Sequence, residues 1–107
     1  MGRVVRAIPK GAVLSYSRVA VLAGIAGRAR LVGTVLGRIG SALPWWRVVH
    51  ADRTLAQPVA DVQARRLLRE GVRLKGARVP AAYVLPVGDA RLLRALHRSR
   101  PQSRRLG

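Results

Sequence analysis

The alternation of apolar and polar positions changes rhythm twice in the first forty residues. Val4, Val5 and Ile8 form a short apolar group that stops at Pro9, too brief to assign to helix or strand. Pro9-Lys10-Gly11 then carries a turn signal, since proline fixes φ and glycine permits positive φ. In the stretch from Val13 to Gly24, Val19, Leu22 and Ala23 lie on one face at helical spacing, with Ser15 as N-cap and Gly24 as C-cap. After a link at 25–28 the helical spacing resumes in Leu31, Val32, Val35 and Leu36, which predicts a second helix over 29–37. Two short helices joined by a glycine-containing turn form the helix-turn-helix pattern, whose second helix is the one offered to DNA. The pattern alone is weak, because helical hairpins are common; Arg28, Arg30 and Arg38, which bracket the second helix, strengthen it.

Residues 38–43 read as a loop, and Pro44-Trp45-Trp46-Arg47-Val48-Val49 as an extended segment that is β-branched at its end. Ala51-Asp52-Arg53-Thr54 reads as a turn. From Val59 to Glu70 the rhythm is helical again, with Val62, Leu67 and Leu68 inside, Arg65, Arg66 and Arg69 outside, and Gly71 closing the helix. Residues 72–74 and 83–85 are candidate short strands, separated by Gly76 and Pro80. Beyond Gly88 the composition turns basic: Asp89 to Arg98 suggests an amphipathic turn or two, and Ser99 to Gly107 a disordered end. The expectation is an α+β, mostly α-helical, winged-helix-like domain over 1–88, with short strands after the tryptophan pair and a basic tail over 89–107.

A chain of 107 residues suits one domain. Half of it is apolar, but with only two Trp, two Tyr and no Phe the core falls to Val, Leu, Ala and Ile. Charge changes the picture most: 21 Lys+Arg against 4 Asp+Glu give +17, and only Lys10 and Lys75 of these cations are lysine. Such a domain associates with polyanions in a salt-dependent way. On charge alone a ribosomal or other RNA-bound protein remains open. Without cysteine there is no disulfide, thiolate zinc site or cysteine nucleophile, and the isolated His50 and His97 lack metal-ligand spacing, so no metal or cofactor is expected. No apolar run reaches a membrane span, and Arg3 and Arg6 interrupt any leader pattern, so an intracellular protein is expected: cytoplasmic in a bacterium, nuclear in a eukaryote.

Four segments, taken in order, resemble one family. Ile8-Pro9-Lys10-Gly11-x-Val13-x-Ser15-Tyr16-Ser17-x-Val19-Ala20 is similar to the IPxGxVxTYGxIA stretch of the O6-alkylguanine-DNA alkyltransferases. Ala29-Arg30-Leu31-Val32-Gly33 resembles their ARxVG recognition helix, Pro44-Trp45-Trp46-Arg47-Val48-Val49 their PCHRV motif, and Arg69-Glu70-Gly71-Val72 their LxxEGV segment. The resemblance covers residues 8–72 and is loose over 73–88. Trp45 stands where those enzymes carry the nucleophilic cysteine, and Trp46 where they carry histidine. Indole has one N–H donor and no nucleophilic lone pair, so alkyl transfer is excluded and no enzyme activity is expected. Tryptophan at this position resembles the alkyltransferase-like group, which binds O6-alkylguanine by flipping it out and is implied to direct the lesion to nucleotide excision repair.

The resemblance implies roles for particular residues. Trp45, Trp46, Arg47 and Val48 would form the lesion pocket, Trp45 giving the rotated base a flat apolar wall; for Trp46, packing alone is the favoured reading, and for Arg47 pocket shaping and a structural role stand level. Tyr16 would crowd the phosphate beside the target and help rotate the nucleotide. Arg30 would enter the base stack, which suits a planar, always charged guanidinium. Ser15, Ser17, Arg28, Ala29, Gly33, Thr34 and Arg38 would contact DNA in the minor groove, where readout is degenerate and small residues allow close approach. The implied partners are duplex DNA carrying O6-alkylguanine and excision-repair proteins, bound by a monomer with no membrane association. Three departures stand out: the segment between Gly33 and Pro44 is shorter than in typical enzymes, Gln57-Pro58 replaces a base-probing basic residue, and the start lies close to Ile8, so that either the first helix is clipped or the true start lies upstream. A general nucleic-acid binder or a transcriptional regulator on the same helices remains the rival reading.

Overall fold

The computed structural model describes residues 1–39, 42–86, 88, 89 and 92. In chain order the elements are α1 (Gly2–Ala7), β1 (Leu14–Ser15), α2 (Tyr16–Leu22), α3 (Ala29–Ile39), a 3₁₀ turn (Trp45–Arg47), β2 (Val48–Val49), α4 (Ala60–Arg69) and a second 3₁₀ turn (Ala81–Tyr83). The α+β, mostly helical expectation matches this architecture. The opening apolar group is helical, burying Val4 and Val5.

Helix α2 begins at Tyr16, where the Ser15 cap places it, and runs to Leu22. Val13 and Leu14 are extended, because β1 pairs in parallel with β2, Leu14 opposite Val48 and Ser15 opposite Val49, and Val13 bridges Val84. Ser15 is the N-cap, its hydroxyl accepting from the Arg18 amide at 3.1 Å. At the other end of α2, Gly24 adopts φ +81°, its amide donates to Val21 O at 3.1 Å and the Ile25 amide to Ala20 O at 2.8 Å. That paired bonding satisfies the last carbonyls and turns the chain into α3. The helix-turn-helix is thus α2, the glycine turn and α3, which packs Val32 and Leu36 inward and extends through Arg38 and Ile39, read above as loop.

Side chains of a strand alternate between its faces, and here that alternation divides the core. Leu14 and Val48 point into a cluster with Val5, Ile8, Val19, Val32 and Leu36; Val13 and Val49 point into a second with Leu55, Leu67, Val72 and Val79. The two-stranded ribbon is therefore the partition between the helix-turn-helix and the α4 half. Leu92 is fully buried in the first cluster, so the packed unit extends past residue 88. The remainder of the basic tail lies outside the described residues.

Three local expectations are corrected. Trp45–Arg47 form a 3₁₀ turn, and only Val48–Val49 are extended. In α4 the inward residues are Gln63 and Leu67, while Val62 and Leu68 are exposed at 37% and 63%. Gln63 goes inside because three backbone groups need it: its amide donates to Trp46 O at 3.1 Å and Val48 O at 2.9 Å, and its carbonyl accepts from Ala56 N at 2.8 Å. Residues 72–74 and 83–85 do not form strands; single bridges link Lys75 to Arg78 and Val13 to Val84.

Candidate nucleic-acid interface

The ribbon register and the α2–α3 turn bring three distant residues together. Tyr16, Arg30 and Trp45 all line one open cavity of about 670 Å³. Tyr16 opens α2 directly after the cap, so β1 fixes where its ring points. Gly33 faces that ring: a Cβ added there would meet Tyr16 Cε1 at 3.8 Å. Burial raises the Tyr16 phenol above its ordinary value, so it is neutral at pH 7 and keeps its O–H to donate. Arg30, exposed in the first turn of α3, lines both this cavity and a cleft along the helix shared with Gly27, Arg28, Ala29, Leu31 and Thr34. Arg38, in the last turn, supplies a further cation to the cavity rim.

Trp45 is half-buried against the first core cluster and presents its remaining surface to the cavity. Its three neighbours in the motif do not line the cavity, contrary to the expectation for Trp46, Arg47 and Val48. The physical reason is the 3₁₀ turn: with about three residues per turn, consecutive side chains diverge by roughly 120°. Trp46 accordingly lies edge-on to Trp45, with centroids 6.1 Å apart and planes at 85°. Its Nε1 donates to Glu70 Oε2 at 3.0 Å, and the Arg66 guanidinium sits over its ring at 4.7 Å. Val48 is buried in β2.

Arg47 is nearly buried and serves as a brace. Its Nε donates to both Glu70 oxygens at 3.0 and 3.2 Å, Nη2 to Oε2 at 2.7 Å, and Nη1 to Ile8 O at 2.8 Å. Glu70 also accepts from the Gly11 amide at 3.2 Å. One carboxylate thereby ties the end of α4 to the Pro9-Lys10-Gly11 turn and to the tryptophan pair. Gly11 has φ +84°, and an added Cβ would lie 3.3 Å from Glu70 O, so both conformation and space call for glycine. Burial works to raise the Glu70 carboxyl, but hydrogen bonds from Arg47, Trp46 and Gly11 outweigh it and hold the group below the ordinary carboxylate range.

The other sequence-derived contacts are spread over the surface beside the cavity. Arg28 and Ala29 line the cleft along α3, Ser17 is exposed on α2, and Gly33 and Thr34 line the cavity floor. The hydroxyls of Ser15 and Thr34 are engaged within the fold, Ser15 as cap and Thr34 donating to Arg30 O at 3.1 Å. The cavity also includes residues outside the expected site. His50, treated as an isolated histidine, follows β2 and packs against Tyr16 with ring centroids 5.2 Å apart. Gln57, Pro58 and Val59, at and before the start of α4, also line the cavity. The resemblance sets Gln57-Pro58 in the base-probing region, whereas no local signal marks His50 or Val59.

Comparison with known proteins follows the same outline. The model of the 6-O-methylguanine DNA methyltransferase DNA-binding domain matches residues 1–72. The chain is similar to a DNA base-flipping protein of Escherichia coli K12, 47% identical over 79 residues, which are 70% of this chain and 61% of that protein. A DNA base-flipping protein of Vibrio parahaemolyticus is 39% identical over 75 residues, covering 66% of this chain and 75% of that one. The chain thus spans less than two thirds of the first relative and three quarters of the second. Among solved structures, S. pombe Atl1 in complex with damaged DNA containing O6-carboxymethylguanine superposes with a TM-score of 0.71 at 25% identity, over 79% of this chain and 90% of that one. S. pombe ATL in complex with DNA gives 0.65 at 26% identity, over 77% and 87%.

Proposed function

Since the chain belongs to the 6-O-methylguanine DNA methyltransferase family through its DNA-binding domain, we propose that it is a lesion-recognition protein which binds O6-alkylguanine in duplex DNA by flipping it, without removing the alkyl group. The observation that carries this reading is the convergence of Tyr16, Arg30 and Trp45 on one cavity beside α3. The resemblance gives these three residues complementary tasks in extruding and receiving a base, although 29 positions separate Tyr16 from Trp45 in the chain.

In this mechanism α3 lies in the minor groove with Ala29, Gly33 and the arginines toward the backbone. Arg30, at the boundary between cleft and cavity, fills the vacated place in the stack. Tyr16, neutral and held against His50 and Gly33, crowds the phosphate and turns the nucleotide toward the cavity. The Trp45 indole receives the base, a contact worth about 1–3 kcal/mol for aromatic stacking. Because indole carries no nucleophilic lone pair, the bound base is released unchanged. The complex would act as a monomer wherever the chromosome lies and would pass the lesion to excision-repair proteins. The relatives named for base flipping and the neighbour bound to damaged DNA support flipping at a lesion. No helix among the described residues is long and apolar enough to cross a membrane.

The test is a pair of matched duplexes carrying guanine or O6-methylguanine. Tighter binding of the alkylated duplex, with the base recovered intact and the protein mass unchanged, is the expected result. Equal affinities would return the protein to the class of general DNA binders, and a methyl group found on the protein would refute recognition without turnover.

A further inference from the structure

Helix α4 has two working faces. One grips the tryptophan motif: Gln63 holds the backbone of Trp46 and Val48, Arg66 covers the Trp46 ring, and Glu70 at its end accepts from the indole. The other face borders a separate groove of about 450 Å³ lined by Ala64, Arg65, Leu68, Val72, Arg73 and Leu74. None of these six residues lines the lesion cavity or the cleft along α3. Leu68 is 63% exposed, more than any other large hydrophobic among the described residues. Arg65 and Arg73 are exposed beside it, and their guanidinium groups make no hydrogen bond or ion pair with another described residue. The groove therefore combines an apolar floor with unneutralised guanidinium groups.

The chemistry selects among occupants. A DNA backbone would satisfy Arg65 and Arg73 but has nothing apolar to cover Leu68 and Leu74. A second copy of a chain with net charge +17 would bring further cations against the same arginines. An amphipathic segment with acidic residues beside its apolar face satisfies both parts at once, burying leucine-like side chains on Leu68 and pairing carboxylates with the guanidinium forks. We propose that this groove is a docking surface for an acidic amphipathic segment of a partner protein. It stands clear of the DNA-facing residues and on the helix that anchors the Trp45–Trp46 wall, so a partner can be held while the duplex is bound. The inference does not depend on lesion flipping.

The experiment uses the full chain saturated with undamaged duplex, so that the DNA-facing cations are occupied. The probe is a dye-labelled synthetic peptide with leucines at helical spacing and glutamates elsewhere, read by fluorescence anisotropy beside a scrambled peptide of identical composition. The amphipathic peptide should bind and the scrambled one only weakly. Leu68→Ser, at an exposed position that folding tolerates, should weaken the amphipathic peptide about tenfold, the scale of an anchoring side chain in a small interface. Arg65→Gln combined with Arg73→Gln should weaken it and flatten its salt dependence, while duplex affinity stays unchanged in the Leu68→Ser protein. Equal binding of the two peptides, indifference to Leu68→Ser, or displacement of the peptide by added duplex would each overturn the proposal.

Discussion

Removing the Glu70 carboxylate tests whether the brace behind the tryptophan pair carries the stability assigned to it. The Arg47–Glu70 pair has side chains only 11% and 10% exposed, and Glu70 accepts from Arg47, Trp46 and Gly11. Glu70→Ala leaves the Arg47 cation, little exposed to water, with Ile8 O and the face of the Trp46 ring 5.5 Å from its Cζ as its remaining partners. Breaking a buried pair on one side costs about 3–5 kcal/mol, which in a domain of this size lowers the melting temperature by roughly 15–30 °C. Glu70→Gln keeps an acceptor and the shape while losing the charge, so its cost should be smaller, about 1–3 kcal/mol. Because the folded Glu70 value lies below the unfolded one, its contribution is complete at pH values above the unfolded carboxylate value of about 4.3 and disappears as pH falls through the folded value. Urea unfolding followed by tryptophan fluorescence, at pH 7 and through the acid limb, reads both effects. The glutamine variant should lose stability at pH 7 and show a shallower acid slope than the wild type. Arg47→Met with Glu70→Leu should cost far less than the two single changes added together, since neither charge is then stranded. A glutamine variant with the wild-type midpoint and acid slope would refute the brace, as would strict additivity in the double variant.

Two further outcomes address the DNA face. Arg30→Ala should reduce base extrusion, read as fluorescence of 2-aminopurine beside the lesion, and leave the salt slope nearly unchanged, whereas a phosphate contact would weaken all duplexes alike; Arg69→Ala, on the exposed side of α4, is the control, because Arg66 stacks on Trp46 and is unsuited to that purpose. Log affinity for undamaged duplex should fall with log salt at a slope of about −4 to −5 if roughly five phosphates are neutralised, and a slope near zero would show that the arginines of α3 do not meet the backbone.

Much of the helix-turn-helix is legible in the chain because its signals are local. Ser15 caps, Gly24 turns, and Val32 and Leu36 repeat at helical spacing, each read within a few residues of itself. What failed to show was non-local. Nothing beside Val13 and Leu14 marks them as strand; they are extended because Val84 and Val48 pair with them from elsewhere in the sequence. Val62 looks like core and Gln63 like surface until the motif backbone needs three hydrogen bonds. The site divides in the same way. Tyr16, Arg30 and Trp45 were identified by resemblance, while His50 joins them only through the β1–β2 register, and the adjacency of Trp45 to Trp46 conceals that a 3₁₀ turn sends them to different sides.

That divergence decides what restoring a cysteine can accomplish. Trp45→Cys would place a thiol on the cavity, yet only a few per cent of an unperturbed thiol is thiolate at pH 7, so transfer depends on a base to take the proton. Position 46 cannot supply one: its indole nitrogen is a donor, already spent on Glu70, and its ring is covered by Arg66. Glu70 is a nearby carboxylate, but Arg47, Trp46 and Gly11 hold it ionised in the brace, and it does not line the cavity. The single variant should therefore transfer no methyl group to protein in a mass measurement after incubation with O6-methylguanine duplex. It should also bind that duplex about tenfold more weakly, since the aromatic wall worth about 1–3 kcal/mol has gone. Methyl transfer by Trp45→Cys alone would show that the cavity supplies a base elsewhere, with His50 beside Tyr16 the group to replace next. Unchanged affinity would show that Trp45 is packing and not the wall that receives the base.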